Sequence, residues 1–366
     1  MFMENYQMLR SIQGTPDYLK ECFREDIRRQ IALAAKELRE RKIRRLIFTG
    51  CGTSLMIAHQ AQRLFYVLAG AEGYVVEAFE QLHYPTMDLG PSDALVAYSH
   101  TGGTKAVCDL CKAGRRQGVF TIGMTEVTNS RLHQSCDVCI VGPGGKDEAT
   151  PKTRSYSTGL MISAMLACAW KGDGAHGAME KLSLLPQRCA QVLVQSQEAM
   201  KSIAEQWNTI DRFVLVGSGS NVITAQEGAL KLLEAANVCA LSTTVEELAH
   251  GNELYLDEHH AVIFLIPENC MIKERLSMVI QGTRCTGAKV YGICGDEKLS
   301  SHFGEGERLC LSMPVDEHLS MFLMILPLQY FAYYSTIVRG KNPDLASAVR
   351  EEMQEAIRLF HPPGYH

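Results

Sequence analysis

Short apolar runs that end on Gly or Ser alternate along this chain with longer amphipathic stretches. Leu46-Ile47-Phe48-Thr49 runs into Gly50-Cys51-Gly52-Thr53-Ser54, and the spacing predicts a helix from about Leu55 to Ala69. The pattern returns in the second half. Phe213-Val214-Leu215-Val216 runs into Gly217-Ser218-Gly219-Ser220-Asn221, with a helix to about Ala236. Three further apolar strands follow in each half: 94–98, 119–123 and 138–141 in the first, 261–266, 289–293 and 309–312 in the second. Short, continuously apolar strands between helices predict parallel sheets covered by helices. The fold class is therefore α/β, built from two similar halves of four strands each. Right-handed crossovers place the strand-to-helix loops of each half on one sheet edge, where ligands bind. The stretch around Pro186 is the expected junction, with a helix from Gln187 to Trp207 opening the second half. Residues 319–338 are the most apolar run. Ser320, Pro327, Gln329 and several tyrosines mark it as a buried core helix rather than a membrane span.

Composition narrows the function classes. At 366 residues, 46% hydrophobic and 21% charged, the chain has the balance of a globular protein and room for two domains. The net charge of −5 and the lack of basic tracts beyond Arg41-Lys42-Ile43-Arg44-Arg45 argue against a nucleic-acid partner. Met1-Phe2-Met3-Glu4-Asn5 has neither the basic nor the apolar region of a signal peptide. Cys108-x-x-Cys111 and Cys136-x-x-Cys139 have zinc-like spacing, but the first pair sits in an expected helix and the second leads into a strand. Thirteen scattered cysteines without a leader then read as reduced thiols in a cytoplasmic protein, with no metal.

Two segments carry candidate chemistry. Glu227, Lys231 and Glu234 recur at i, i+4 and i+7 and so share one helical face. Glu246-Glu247-Leu248-Ala249-His250-Gly251 follows. Glu and His are common acid/base partners, and a carboxylate beside a cation can be tuned for proton transfer. The plain alternative is a solvated helix face with an ion pair and an unrelated histidine. Ser99-His100-Thr101-Gly102-Gly103-Thr104 lies between an expected strand and the helix 105–116. Hydroxyls, glycines and helix N-terminal amides together favour an anion such as phosphate. The equivalent second-half loop, Pro267-Glu268-Asn269-Cys270, carries a carboxylate that would repel one. One phosphate site per chain is expected.

With these motifs in place, the chain resembles the sugar isomerase (SIS) domain family in its double-domain, flavodoxin-like form. The likeness covers about residues 30–349 and is nearest to the isomerase half of glucosamine-6-phosphate synthase and to fructosamine-6-phosphate deglycases. It implies an N-terminal extension over 1–29, a first SIS domain over 30–185, a second over 186–349 and a tail over 350–366. Residues 99–104 resemble the family's Ser-x-Ser-Gly-x-Thr loop, and 227–234 its Glu-Gly-Ala-Leu-Lys-x-x-Glu helix. The resemblance implies that Ser99, His100, Thr101 and Thr104 meet the phosphate, with Thr53, Ser54 and Lys231 nearby. It makes Glu234 the base and His250 the group that assists ring opening or proton transfer. It also implies no cofactor and a homodimer or larger oligomer, in some relatives with His250 supplied by the neighbouring subunit. The family's C-terminal Leu-Ala-Lys-Ser-Val reads Leu345-Ala346-Ser347-Ala348-Val349 here, without the lysine, and no glutaminase domain is recognised. The expected reaction is therefore deglycation, deamination or isomerisation of an amino-substituted hexose 6-phosphate. The rival is a sugar-phosphate sensor that needs the 99–104 loop but not both Glu234 and His250.

Overall fold

The computed structural model describes residues 6–145, 147–311, 315–345, 351–362 and 364, apart from the side chains of residues 176, 351 and 352. Two amphipathic helices, α1 (Gln7–Glu21) and α2 (Glu25–Glu40), open the described chain. The first sheet then alternates strand and helix. β1 (Arg45–Gly50) is followed by α3 (Thr53–Ala69), β2 (Gly73–Glu77), the short α4 (Ala78–His83) and β3 (Asp93–Tyr98). α5 (Lys105–Arg116), β4 (Phe120–Thr125), α6 (Arg131–Ser135) and β5 (Val138–Val141) complete it. α7 (Arg154–Lys171) and the long α8 (His176–Gln206) follow, the latter continuing through Pro186.

The second sheet repeats the plan. β6 (Arg212–Gly217), α9 (Asn221–Lys231), β7 (Cys239–Thr244), α10 (Val245–Leu248) and β8 (His260–Ile266) come first. α11 (Lys273–Cys285), β9 (Lys289–Cys294), α12 (Glu297–Ser300) and β10 (Arg308–Cys310) follow, then the core helix α13 (Met321–Val338) and α14 (Glu351–Phe360). All strand pairs are parallel. The orders are β2-β1-β3-β4-β5 and β7-β6-β8-β9-β10, one topology used twice. By internal contacts the chain divides into two units. One comprises Gly14–Glu148, Lys152–Pro186 and Ala348–His366; the other comprises Met1–Gln13, Ala149–Pro151 and Gln187–Ser347.

Each sheet has five strands, not the four expected. The additions, β2 and β7, are edge strands whose residues are mostly half-buried or exposed, so they lack the unbroken apolar run that reveals a central strand. The central β3 and β8 are buried throughout. In a 2-1-3-4-5 order the chain direction reverses between the first and third strands, leaving a crevice beyond their carboxyl ends. The loops after β1 and β3 flank that crevice in the first unit.

Gly50 and Gly217 show why the strand-to-helix turns need glycine. A Cβ on Gly50 would stand 2.5 Å from the Ser54 carbonyl, and one on Gly217 would stand 2.0 Å from that of Asn221. Both distances are below any tolerable contact, so each turn folds back on its own helix only without a side chain. α13 is the one helix among the described residues long and apolar enough to cross a membrane, and 89% of it is buried within the protein, as expected of a core helix.

Candidate active site

Two separate constellations emerge, one in each unit. In the first, the 99–104 loop leaves β3 and enters α5. Gly102 takes φ +64°, and a Cβ there would lie 2.1 Å from Ser130 Oγ, so this turn also requires glycine. The Leu132 amide donates to the Gly102 carbonyl (2.8 Å), and Arg131 Nη1 donates to that of Gly103 (3.2 Å). Ser99 Oγ and Thr104 Oγ1 lie 3.0 Å apart. Thr104 is the N-cap of α5 but makes no side-chain cap bond, so its own hydroxyl does not close over the first-turn amides. That is the arrangement an anion site needs.

Ser54, in the first turn of α3, joins Ser99 and His100 around one small pocket of about 30 Å³; Ser155, Thr158 and Glu126 also line it, with Tyr98, Met124, Ile57 and Ile162 as apolar walls. Of the expected first-half residues, the fold therefore gathers Ser54, Ser99 and His100 at this pocket. Thr101 and Thr104 lie in the same loop, and Thr53 begins α3 beside Ser54.

The His100 ring is turned inward, with its side chain 9% exposed. Its Nε2 accepts the Asp147 amide at 3.0 Å, which places the ring proton on Nδ1, 3.4 Å from Glu126 Oε2. Burial, helped by the charges of Lys152 and Arg154, pushes the imidazole down to about 3 and keeps it neutral. Sequence reasoning missed its neighbours. Glu126 accepts from Arg154 Nη1 (2.8 Å) and Thr158 Oγ1 (2.5 Å). Burial pushes its carboxyl up to about 7, with Arg154 pulling the other way. Arg154 also donates to the carbonyls of Gly144 (3.1 Å) and Gly145 (3.3 Å) and stacks over Tyr18 at 4.3 Å. Nothing periodic marks these residues; a lone Glu in the loop after a buried strand was the available signal.

In the second unit, the 227–234 face forms as expected, with one change. α9 ends at Lys231, and Leu232–Ala236 continues as a π-helical turn closed by Asn237 in the left-handed conformation (φ +54°). Such turns recur at functional sites because they re-aim a side chain within a helix. Lys231 is fully buried, 3.2 Å from Glu227 Oε1 and 2.5 Å from Glu234 Oε2. Burial lowers its pKa, but the two carboxylates outweigh that and leave it raised. Glu227 is buried, whereas the Glu234 side chain is 29% exposed, and its Oε1 has no hydrogen bond among the described residues.

His250 follows α10 and is exposed. Its Nδ1 lies 2.8 Å from the Glu246 carbonyl, and it makes no hydrogen bond to Glu234 among the described residues. The Glu246 carboxylate is held by Arg275 at 2.8 Å.

The second unit's first loop is already filled. Glu317 Oε1 accepts the Ser220 amide at 2.6 Å and Oε2 lies 3.4 Å from Ser220 Oγ, so a carboxylate of the chain sits at the α9 N-terminus. This adds to the Glu268 argument for one phosphate loop per chain. The serine that replaces the family lysine, Ser347, lies outside the described residues. All thirteen cysteines are free thiols, and no group of three His, Cys, Asp or Glu side chains among the described residues is arranged to hold a metal.

The SIS domain profile matches the chain twice, over residues 37–169 and 208–339. This chain belongs to the SIS domain family. The glutamine–fructose-6-phosphate aminotransferase (isomerizing) of Thermococcus kodakarensis is 28% identical over 345 residues, covering 92% of this SIS protein and 56% of the relative. The chain thus spans about half the length of the curated relatives it matches. Among solved structures, glucosamine-6-phosphate deaminase from Thermotoga maritima superposes with a TM-score of 0.76 at 23% identity, covering 94% of this chain and 98% of that one. Tagatose-6-phosphate ketose/aldose isomerase from Escherichia coli superposes at 0.79 with 18% identity, covering 93% and 95%. At such identities the structural likeness establishes the double-SIS fold.

Proposed function

We propose that this SIS protein is an aldose–ketose type enzyme that isomerises, deaminates or deglycates an amino-substituted hexose 6-phosphate. One observation carries the reading: a fully buried lysine holds one oxygen of Glu234 and leaves the other without a partner among the described residues, at a partly exposed position. A carboxylate fixed in this way is a ready base. Glu234 would take the proton beside the carbonyl or iminium carbon, giving an enediol or enaminol, and return it at the neighbouring carbon. Lys231, enclosed by two carboxylates, positions that base. Ser99, Thr101 and Thr104, with Thr53 and Ser54, would hold the phosphate through hydroxyls and α5 amides. Positioned proton transfer of this kind contributes roughly 10²–10⁴-fold in rate. The aminotransferase, deaminase and ketose/aldose isomerase relatives support the class of chemistry.

His250 would serve ring opening or proton transfer. Its exposed position and separate hydrogen-bonding favour its delivery to a neighbouring subunit's site, so a homodimer or larger closed assembly belongs to the same proposal, as does a cytoplasmic location. The deciding experiment incubates the protein with fructosamine 6-phosphates, glucosamine 6-phosphate and galactosamine 6-phosphate, following released amine and sugar phosphate. Binding without turnover of any of them would favour the sensor.

A further inference from the structure

Glu234 projects from the π-helical turn Leu232–Ala236, and the end of that turn has to be held. The last carbonyls of a helix have no donor within it, and π-helix survives only as short pieces. Here the final two carbonyls are met by side chains. Asn237, whose left-handed backbone closes the turn, directs Nδ2 at the Ala235 carbonyl, 3.4 Å away. Lys341 Nζ donates to the Ala236 carbonyl at 2.6 Å, from 105 positions along the chain. The Asn237 contact is long for a hydrogen bond, so Lys341 is the firmer hold.

The end of α13 aims that lysine. Gly340 takes φ +68°, its amide donates to the Ile337 carbonyl (2.9 Å), and the Lys341 amide donates to that of Thr336 (3.1 Å). This is a Schellman closure, and it fixes the backbone from which the Lys341 side chain leaves. α13 itself packs against the π-turn. A cation at a helix C-terminus also meets the negative end of the helix dipole. Glu234 lies two residues before the carbonyl that Lys341 holds. Lys231 grips one oxygen of its carboxylate, but that grip leaves the backbone beneath it to be fixed by the turn. We propose that Lys341 is a positioning residue for Glu234: it pins the end of the π-turn and so keeps the free carboxylate oxygen in place, without itself meeting the substrate. This rests on the reading of Glu234 as the base and adds a residue that neither helical spacing nor the candidate motifs point to.

The test compares the full chain with Lys341→Met, which removes the donor but keeps the stem, and Lys341→Arg, which keeps a donor. Lys341 is exposed, so both variants leave the core intact. In the unliganded proteins, amide hydrogen exchange over residues 232–238 should rise roughly five- to tenfold in Lys341→Met, the worth of about one net hydrogen bond. It should stay at the parent rate over residues 221–230 and return towards the parent rate at 232–238 in Lys341→Arg. Solvent deuterium incorporation into fructose 6-phosphate and glucosamine 6-phosphate supplies the second reading. In Lys341→Met its kcat should fall roughly tenfold with KM unchanged, because a base displaced by well under 1 Å already loses rate; Lys341→Arg should recover it. A lysine that merely adds stability would lower the melting temperature and leave kcat untouched well below the transition. Unchanged exchange over 232–238 would overturn the proposal, as would a rise shared by 221–230. So would a loosened turn with the parent's kcat. If the parent incorporates deuterium into neither sugar phosphate, the reading of Glu234 as the base falls and the role of Lys341 falls with it, a result distinct from a loosened turn that still turns over.

Discussion

Glu126 and His100 share one buried corner and are pushed in opposite directions by the same burial. The signs differ in consequence. Glu126 titrates higher in the folded chain than in the unfolded one, so its contribution is full below the ordinary carboxyl value and is lost as pH rises towards about 7. His100 titrates lower, so its contribution is present above the ordinary imidazole value and is lost as pH falls towards about 3. Glu126→Gln should therefore lose less melting temperature than the parent between about pH 5 and about pH 8. The opposite trend in a thermal-shift series would show that Arg154 outweighs burial. NMR of His100 should show a neutral ring with the proton on Nδ1 down to about pH 5, and an inflection at the ordinary imidazole value would refute the buried geometry.

The proposed base and its proposed histidine partner make their own demands at this scale. Glu234→Gln should abolish solvent deuterium exchange at the substrate carbon and leave binding nearly intact. His250→Ala should slow turnover at least ~100-fold, the low end for one acid/base group. Exchange at the parent rate in Glu234→Gln would remove the proposed base. Little of the Glu126 corner was legible in the sequence, because Arg154 and Thr158 reach Glu126 from 28 and 32 positions away. By contrast, the Glu227–Lys231–Glu234 face was readable from helical spacing alone, although the π-turn that re-aims Glu234 was not. A one-residue widening of a helix leaves no mark on the pattern of apolar positions.

Among the elements, α9 is held from both ends of its chemistry. Its N-terminus rests on Glu317, and the Ala236 carbonyl beyond its π-turn accepts from Lys341 Nζ at 2.6 Å. Glu317→Ala should cost about 1.5–3 kcal/mol in denaturant unfolding, the worth of a hydrogen bond to a charged group; an unchanged midpoint would make that contact incidental. α9 also packs closely against its neighbours: a Cβ on Gly228 would lie 2.5 Å from Leu328 Cδ1 on α13 and 2.8 Å from Leu215 Cδ2 on β6. Gly228→Ala should therefore destabilise by roughly 1–3 kcal/mol through overpacking, despite alanine's better helix propensity. The central strands and the helices that follow them were legible because continuous apolar runs and 3.6-residue periodicity are strong signals. The edge strands β2 and β7 were not, since a strand with one neighbour and a wet face keeps its polar residues.

For the whole molecule, the repeat read from the sequence is present as two sheets of one topology, yet the halves have not kept the same equipment. The hydroxyl-rich loop proposed to hold phosphate belongs to one and the buried lysine–carboxylate group to the other. Sedimentation should show a dimer or larger assembly at micromolar concentration; a fully active monomer would contradict delivery of His250 between subunits. The Glu317 carboxylate adds something about ancestry. If the two halves descend from one duplicated unit, the second has closed its spare socket with an acid from its own chain, an intramolecular counterfeit of the ligand. Such a plug cannot diffuse away, so a return to two-site binding would require losing Glu317 as well as regaining hydroxyls. Specialisation of this kind runs more easily forwards than back.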